Sequence, residues 1–290
     1  MSISQAYATE RFVLSFELFP PKTAEAEAEL SQHVAALMKF RPNFVTCTYG
    51  AGGSTRDKTL DVVEQVHRQY DCEVAAHLTC VGSTVAELLS FLVDARSRGV
   101  ANIVALRGDP PRGQSDFRPV EGGLSYANEL VELIRGDFPD FGIAVAGYPE
   151  THVEATSAED DLVNLRRKVD AGADVVITQV FYDNALFYRF RDSCERLGIK
   201  VPIVPGILPV TSLPQIKRIT SMCGATLPGD FSDQLAAAGD DAEAQCEVGV
   251  HHATAQVQDL IDQGVPGVHF YVLNKSQSTS RVLGGVSISR

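Results

Sequence analysis

Apolar positions fall into short runs rich in Val, Ile and Phe: 12–19 (FVLSFELF), 43–48 (NFVTCT), 73–80 (EVAAHLTC), 102–107 (NIVALR), 142–148 (GIAVAGY), 174–181 (DVVITQVF), 201–208 (VPIVPGIL) and 267–273 (GVHFYVL). Runs this short and continuous suit strands buried on both faces. The early ones start about thirty residues apart, the length of a βαβ repeat. Between them the pattern is helical, with its own start and stop signals. Thr84 with Glu87 forms a capping box ahead of Leu88, Leu89, Leu92 and Val93, and Gly99 closes that helix. Ser54 with Asp57, Ser157 with Asp160, and Ser212 with Gln215 repeat the device. Eight such alternations in 290 residues predict a closed (β/α)8 TIM barrel rather than an open doubly wound sheet. The stretch 209–266 is twice the usual length and predicts an extra helical segment around 226–240 before a long final helix. No Pro-, Gly- or Ser-rich linker divides the chain, so 1–290 reads as a single domain.

Composition narrows the partners. At 44% hydrophobic the chain can bury one large core. A formal charge of −12, with no block of Lys or Arg, argues against nucleic acid or anionic lipid. The six cysteines lack CxxC spacing, which suits a reducing compartment, and Cys47 and Cys80 lie in apolar runs where thiols pack as small hydrophobes. MSISQAYATERF carries no basic region followed by an apolar stretch, and no run approaches the roughly eighteen residues of a spanning helix. A cytoplasmic protein without membrane attachment is expected.

Barrel chemistry sits at the carboxyl ends of the strands, and the residues closing these runs are polar. NIVALRGDPP at 102–111 turns from a buried strand into Arg107, Gly108 and Asp109 before two prolines. The other strand ends bring Glu17, Thr48, His77, then Tyr148, Glu150 and His152, then Gln179, and finally Tyr271 and Lys275. Glu17 has two readings: a buried carboxylate paired with a barrel Arg, or a general acid that Phe16, Leu18 and Phe19 hold in an apolar setting. His77 alone reads as a hydrogen-bonded core histidine. His77, Asp109, Glu150 and His152 are metal-ligand types without HxH or HExxH spacing. Neither GxGxxG nor GxxxxGK occurs, and GAGGST at 50–55 is a glycine-rich loop of low specificity. Asp161, Asn164, Arg167 and Lys168 share one helix face, either as a solvated stripe or as two cations for a pyrophosphate.

Taken in order, SFELFPPK, FVTCTYGAGGSTRD, AAHLTC, IVALRGDPP, AGYPETH, DLVNLRRKVDAGAD, ITQVFYDN, PGILPV and HFYVLNK resemble the methylenetetrahydrofolate reductase family over nearly the whole chain. The resemblance implies a barrel that holds FAD and takes a hydride from NADH or NADPH. The hydride passes to 5,10-methylenetetrahydrofolate, giving 5-methyltetrahydrofolate for methionine synthesis. Matched motif by motif, it implies FAD contacts at Tyr49, Ala51, His77, Arg107, Gly108, Asp109, Tyr126, Ala127, Tyr148, His152, Ala155, Asp161, Asn164, Arg167 and Lys168. Glu17 matches the general acid, Thr48 and Gln179 the nicotinamide contacts, and Gln179 with Gln215 the folate site. Asp109 would face both flavin and pterin. Two substrates matched to the same residues imply ping-pong kinetics.

The sequence also departs from the family pattern. Lys275 stands where an Arg is usual, so the folate tail would be held by a point charge instead of a bidentate grip. Leu213 and Val180 stand where aromatic residues are expected, which would loosen stacking. The resemblance implies no metal and a homo-oligomer. Because the chain stops shortly after the eighth strand, inhibition by S-adenosylmethionine is not expected. Two rival readings remain: a metal-assisted lyase built on the His and carboxylate cluster, and an interaction protein displaying an exposed Arg107-Gly108-Asp109.

Overall fold

Eight parallel strands close into a barrel in chain order: β1 (Val13–Leu18), β2 (Phe44–Cys47), β3 (Glu73–Thr79), β4 (Asn102–Leu106), β5 (Gly142–Gly147), β6 (Val175–Val180), β7 (Ile203–Ile207) and β8 (Gly267–Tyr271). The computed structural model describes residues 2–9, 11–49, 56–110 and 117–288; Ala51 and Ser54 lie outside them, as do the side chains of Arg56 and Asp57. The helices are α1 (Ile3–Tyr7), α2 (Ala24–Met38), α3 (Arg56–Tyr70), α4 (Val85–Ser97), α5 (Ala127–Asp137), α6 (Ala158–Asp170), α7 (Asn184–Arg196), α8 (Leu213–Cys223), α9 (Gly229–Ala237), α10 (Ala242–Asp262) and α11 (Gln277–Gly285). α9 falls in the stretch read as an extra helical segment.

Strand parity sorts the core into layers. On β1, Leu14, Phe16 and Leu18 face the helices, where each buried side chain contributes about 1.5–3 kcal/mol. Val13 belongs instead to an inner cluster with Phe44, Ala75, Val104, Ala144, Val175 and Val204. The same alternation sends Ser15 and Glu17 into the barrel. The apolar setting expected around Glu17 therefore does not come from Phe16 and Leu18, which point to the opposite face. Register places Ser15 beside His269 and Glu17 beside both Thr46 and Tyr271.

α1 closes the amino-terminal mouth, and nothing in the apolar pattern announced it. Its Ile3 amide donates to Asn102 Oδ1 at 2.7 Å, and Asn102 Nδ2 donates to the Val74 carbonyl at 3.1 Å. Ile3 and Ala6 of this helix join the inner cluster at that end of the barrel. The helix start signals fared unevenly. Thr84 and Glu87 form the reciprocal capping box, and Ser157 caps α6 through the Asp160 amide. Ser212 makes no side-chain cap, because the Leu213 amide donates to Gln245 Oε1 on α10 and Gln215 accepts from Thr211 instead.

Candidate active site

The carboxyl-end face holds a cleft of about 1120 Å³. Of the residues singled out in the sequence, Glu17, Thr48, Tyr49, His77, Arg107, Gly108, Asp109, Tyr148, His152, Gln179, Gln215 and Tyr271 line it. Every strand except β2 and β7 contributes a lining residue from its own span, as inward parity at the strand tops requires.

Glu17 lies on the floor, 8% exposed. Its Oε2 is 3.4 Å from His77 Nε2 and 3.9 Å from His269 Nε2. Among the described residues no arginine pairs with it, so the register-pair expectation is replaced by a carboxylate between two imidazoles. His77 Nε2 is also 3.4 Å from Thr46 Oγ1, and His269 Nδ1 is 2.8 Å from Ser15 Oγ. Burial drives His77 toward its neutral form, against the pull of Glu17 and reinforced by His269. A neutral ring next to a carboxyl group can exchange a proton with it without creating an isolated buried charge. Tyr271 seals this corner: its hydroxyl donates to the Thr178 carbonyl at 2.7 Å. Only glycine fits beneath that ring, since a Cβ at Gly206 would stand 2.2 Å from Thr178 O and 2.6 Å from Tyr271 Cε2.

The flank formed by β4, β5 and α6 is a charged network. Arg107 grips Glu154 through both terminal nitrogens, at 2.6 and 2.8 Å, and its guanidinium lies 5.1 Å from the Phe117 ring centroid. Glu154 holds Arg107 firmly in its charged form. Gly108 is left-handed (φ +87°), and a Cβ there would meet Val81 Cγ1 at 2.7 Å, so this backbone approaches the cleft as only glycine allows. Asp109 projects from it, exposed. The Glu154 amide donates to His152 Nδ1 at 3.1 Å, and the His152 amide donates to Asp161 Oδ2 at 3.0 Å. Burial, then Arg107, lowers the His152 pKa.

Lys168 reaches under Tyr148, its ammonium 5.8 Å from the ring centroid and donating to the Ala146 carbonyl at 2.5 Å. It has no carboxylate at ion-pair distance among the described residues, and burial lowers its pKa to about 8. Arg167 lies farther out and donates to Asn164 Oδ1 at 2.9 Å. A buried ammonium that feels Asp161 only beyond ion-pair distance, beside a cleft of this size, fits an anionic group such as the phosphates of a dinucleotide. Tyr126, 60% exposed, and Ala127 sit at the start of α5. They, Ala155 and the four α6 residues are not among those lining the cleft, and neither is Lys275. The segment before Lys275 passes through left-handed Leu273 and Asn274, and the Asn274 amide side chain pairs with both the amide and the carbonyl of Phe19.

Several residues in or beside the cleft escaped the sequence reading. His269 sits in the quoted HFYVLNK, and the inward parity of β8 would have found it. Glu154 follows His152 by two positions, but nothing local marks it as the partner of Arg107. Lys22, Arg218, Ile219 and Met222 also line the cleft, the last three from α8. The metal and display readings lose their geometry. Among the described residues no three His, Cys, Asp or Glu side chains come together as metal ligands. Glu150 turns away to the Thr226 amide, and Arg107 is tied to Glu154.

Fold and site together define a (β/α)8 barrel with an acid–base floor and an anion-ready flank. The chain belongs to the methylenetetrahydrofolate reductase family, whose sequence pattern matches residues 2–286. It is 42% identical to the 5,10-methylenetetrahydrofolate reductase of Escherichia coli (strain K12), over 91% of this chain and 87% of that protein. It is 39% identical to the probable methylenetetrahydrofolate reductase (NADH) of Oryza sativa subsp. japonica, over 97% of this chain. It spans only 49% of that plant protein's length. An uncharacterized protein from Clostridium thermocellum that binds two copies of 5-methyl-5,6,7,8-tetrahydrofolic acid shares the fold, with a TM-score of 0.64 and 14% identity, over 98% of this chain and 97% of that one. No helix among the described residues is long and apolar enough to cross a membrane.

Proposed function

We propose that this chain reduces 5,10-methylenetetrahydrofolate to 5-methyltetrahydrofolate with NADH or NADPH, through FAD and in ping-pong order, as a cytoplasmic homo-oligomer supplying methyl groups for methionine synthesis. The observation that carries this reading is Glu17, buried on the floor of the one cleft that also holds Thr48, Gln179 and Gln215. Reduction breaks the bond between the bridging carbon and N10. The carbon gains a hydride and the nitrogen a proton, so the site must supply an acid and tolerate a passing iminium cation. Glu17 would donate the proton, and His77 or His269 would return one to it. Asp109, exposed on the rim beyond Gly108, would stabilise the cation.

FAD, when bound, would supply the hydride relay between nicotinamide and folate. Lys168 and Arg167 would hold its phosphates, with Tyr148, His152 and the Gly108 backbone against the ring system. A shared cleft for both substrates supports alternation, because Gln179 can serve only one ligand at a time.

The visible spectrum of the purified protein tests the reading. A yellow protein that NADH or NADPH bleaches under anaerobic conditions, and that recovers colour on adding methylenetetrahydrofolate, is the expected result. A protein that takes up no FAD after refolding with excess cofactor would sink the flavin relay. One that bleaches but never recovers with folate would sink the substrate assignment.

A further inference from the structure

Glu150 is the rim carboxylate that the cleft does not use. It follows Tyr148 on the loop between β5 and α6, yet its side chain leaves the cleft and crosses to another element. Both of its oxygens accept from the Thr226 amide, at 2.9 and 3.0 Å. Thr226 lies in the short link between α8 and α9, and two further contacts accompany that bond. A Cβ built on Gly224, the left-handed C-cap of α8, would meet Val153 Cγ1 at 2.8 Å and Thr151 O at 3.9 Å, so the loop packs directly on the helix end. Thr151 itself is left-handed (φ 73°), a conformation costly for a β-branched residue that the surrounding contacts must hold. Its amide donates back to the Tyr148 carbonyl at 3.2 Å.

The anchored helix is the one whose Gln215, Arg218, Ile219 and Met222 line the cleft. α8 and α9 pack with the ends of β6, β7 and β8 and with Val248 of α10 in a cluster distinct from the main core, and the Glu150 bond adds to this packing a tie from the β5–α6 loop to the α8 C-terminus. We propose that Glu150 is a positioning residue that sets α8 over the cleft, tying the folate-side helix to the loop that carries Tyr148 and His152. The inference rests on the reading of the cleft as a folate site. A change in the loop at Tyr148 or His152 would thereby be felt at Gln215, without any contact between the two ligand-facing sets.

The test compares wild type with Glu150→Ala and Glu150→Gln, using 5-methyltetrahydrofolate as a non-reacting probe. Thr226 is exposed, so water can satisfy its amide in the Ala variant and the protein should fold. The expected result for Glu150→Ala is roughly five- to twentyfold weaker probe binding by calorimetry, the range of one hydrogen bond to a charged group weakened by solvent at an exposed site. Amide hydrogen exchange should quicken over 213–228 and stay unchanged in β1. Glu150→Gln, which keeps an oxygen acceptor, should recover most of the loss. Probe affinity within twofold of wild type in the Ala variant would overturn the proposal, as would exchange that quickens uniformly through the barrel. If wild type binds no probe, the folate reading has failed, and exchange over 213–228 alone decides the anchor: faster in the Ala variant supports it, unchanged overturns it.

Discussion

On the floor of the cleft, Glu17 is buried between two histidines at 3.4 and 3.9 Å, with no Lys or Arg paired to it among the described residues. On the flank, Arg107 and Glu154 neutralise each other in a half-exposed pair, while Lys168 is held under Tyr148 without a carboxylate at ion-pair distance among the described residues. The difference separates two jobs. A group that must gain and lose a proton is served by titratable neighbours, because a fixed cation would lock it in one state. A group that must grip an anion is served by a fixed or waiting cation. Under the proposed function, the floor would be the proton-transfer half of the site and the flank the cofactor-holding half.

Glu17→Gln breaks the comparison hardest. The amide keeps size and hydrogen bonding but has no acidic proton, so folate reduction should fall by about 10²–10⁴-fold. Bleaching by NADH, which needs no proton at N10, should stay within a fewfold of wild type. Separate stopped-flow measurement of the two half-reactions checks both arms. A variant that still passes its hydride to folate at the wild-type rate would strip Glu17 of the acid role.

That division was only partly legible beforehand. The eight apolar runs and their spacing announce the barrel because strands buried on both faces leave an unbroken signature. The rim residues follow from strand ends. What stayed hidden are partnerships between distant positions. His269 meets Glu17 only through the β1–β8 register, and Arg107 finds Glu154 only when the loop after β5 folds back over β4. α1 was missed because five residues carry too little periodicity to show. Local capping chemistry misled at Ser212, where Gln245 from α10 outcompetes the neighbouring side chain.

On the flank, Arg167→Ala with Lys168→Ala should weaken FAD affinity by roughly ten- to a hundredfold, the scale of two charge-assisted contacts partly screened by water. The thermal transition of the cofactor-free protein is a separate readout, because losing Lys168 removes a charge that burial disfavours and also frees the Ala146 carbonyl it donates to. Titrating FAD into the apoprotein by fluorescence quenching reads this directly. Undiminished affinity would move the phosphates elsewhere.

The same lysine gives the flank a pH dependence that the floor should not share. Lys168 in the free protein releases its proton near pH 8, and a bound phosphate favours the protonated form. FAD affinity should therefore be steady below about pH 7.5 and fall several-fold as pH rises through 8 to 9. Lys168→Met should flatten that profile. Folding has the opposite slope: the unfolded chain keeps this proton up to the ordinary 10.5, so between about 8 and 10.5 wild type gains stability relative to Lys168→Met as pH rises.

The smallest effect is expected at Lys275. The family resemblance gave it the folate tail, but its side chain is exposed and is not among those lining the cleft, whereas Lys22 and Arg218 are. Two left-handed residues and the Asn274 clip to Phe19 turn the chain just before it. An exposed ammonium outside the cleft lining acts through water, where screening leaves a point charge and a planar fork nearly equivalent. Lys275→Arg should then change the folate KM by less than about twofold, and kcat not at all. A several-fold drop in KM would instead mean that the folate tail reaches across the rim to this position, extending the substrate half of the site beyond the cleft's own lining.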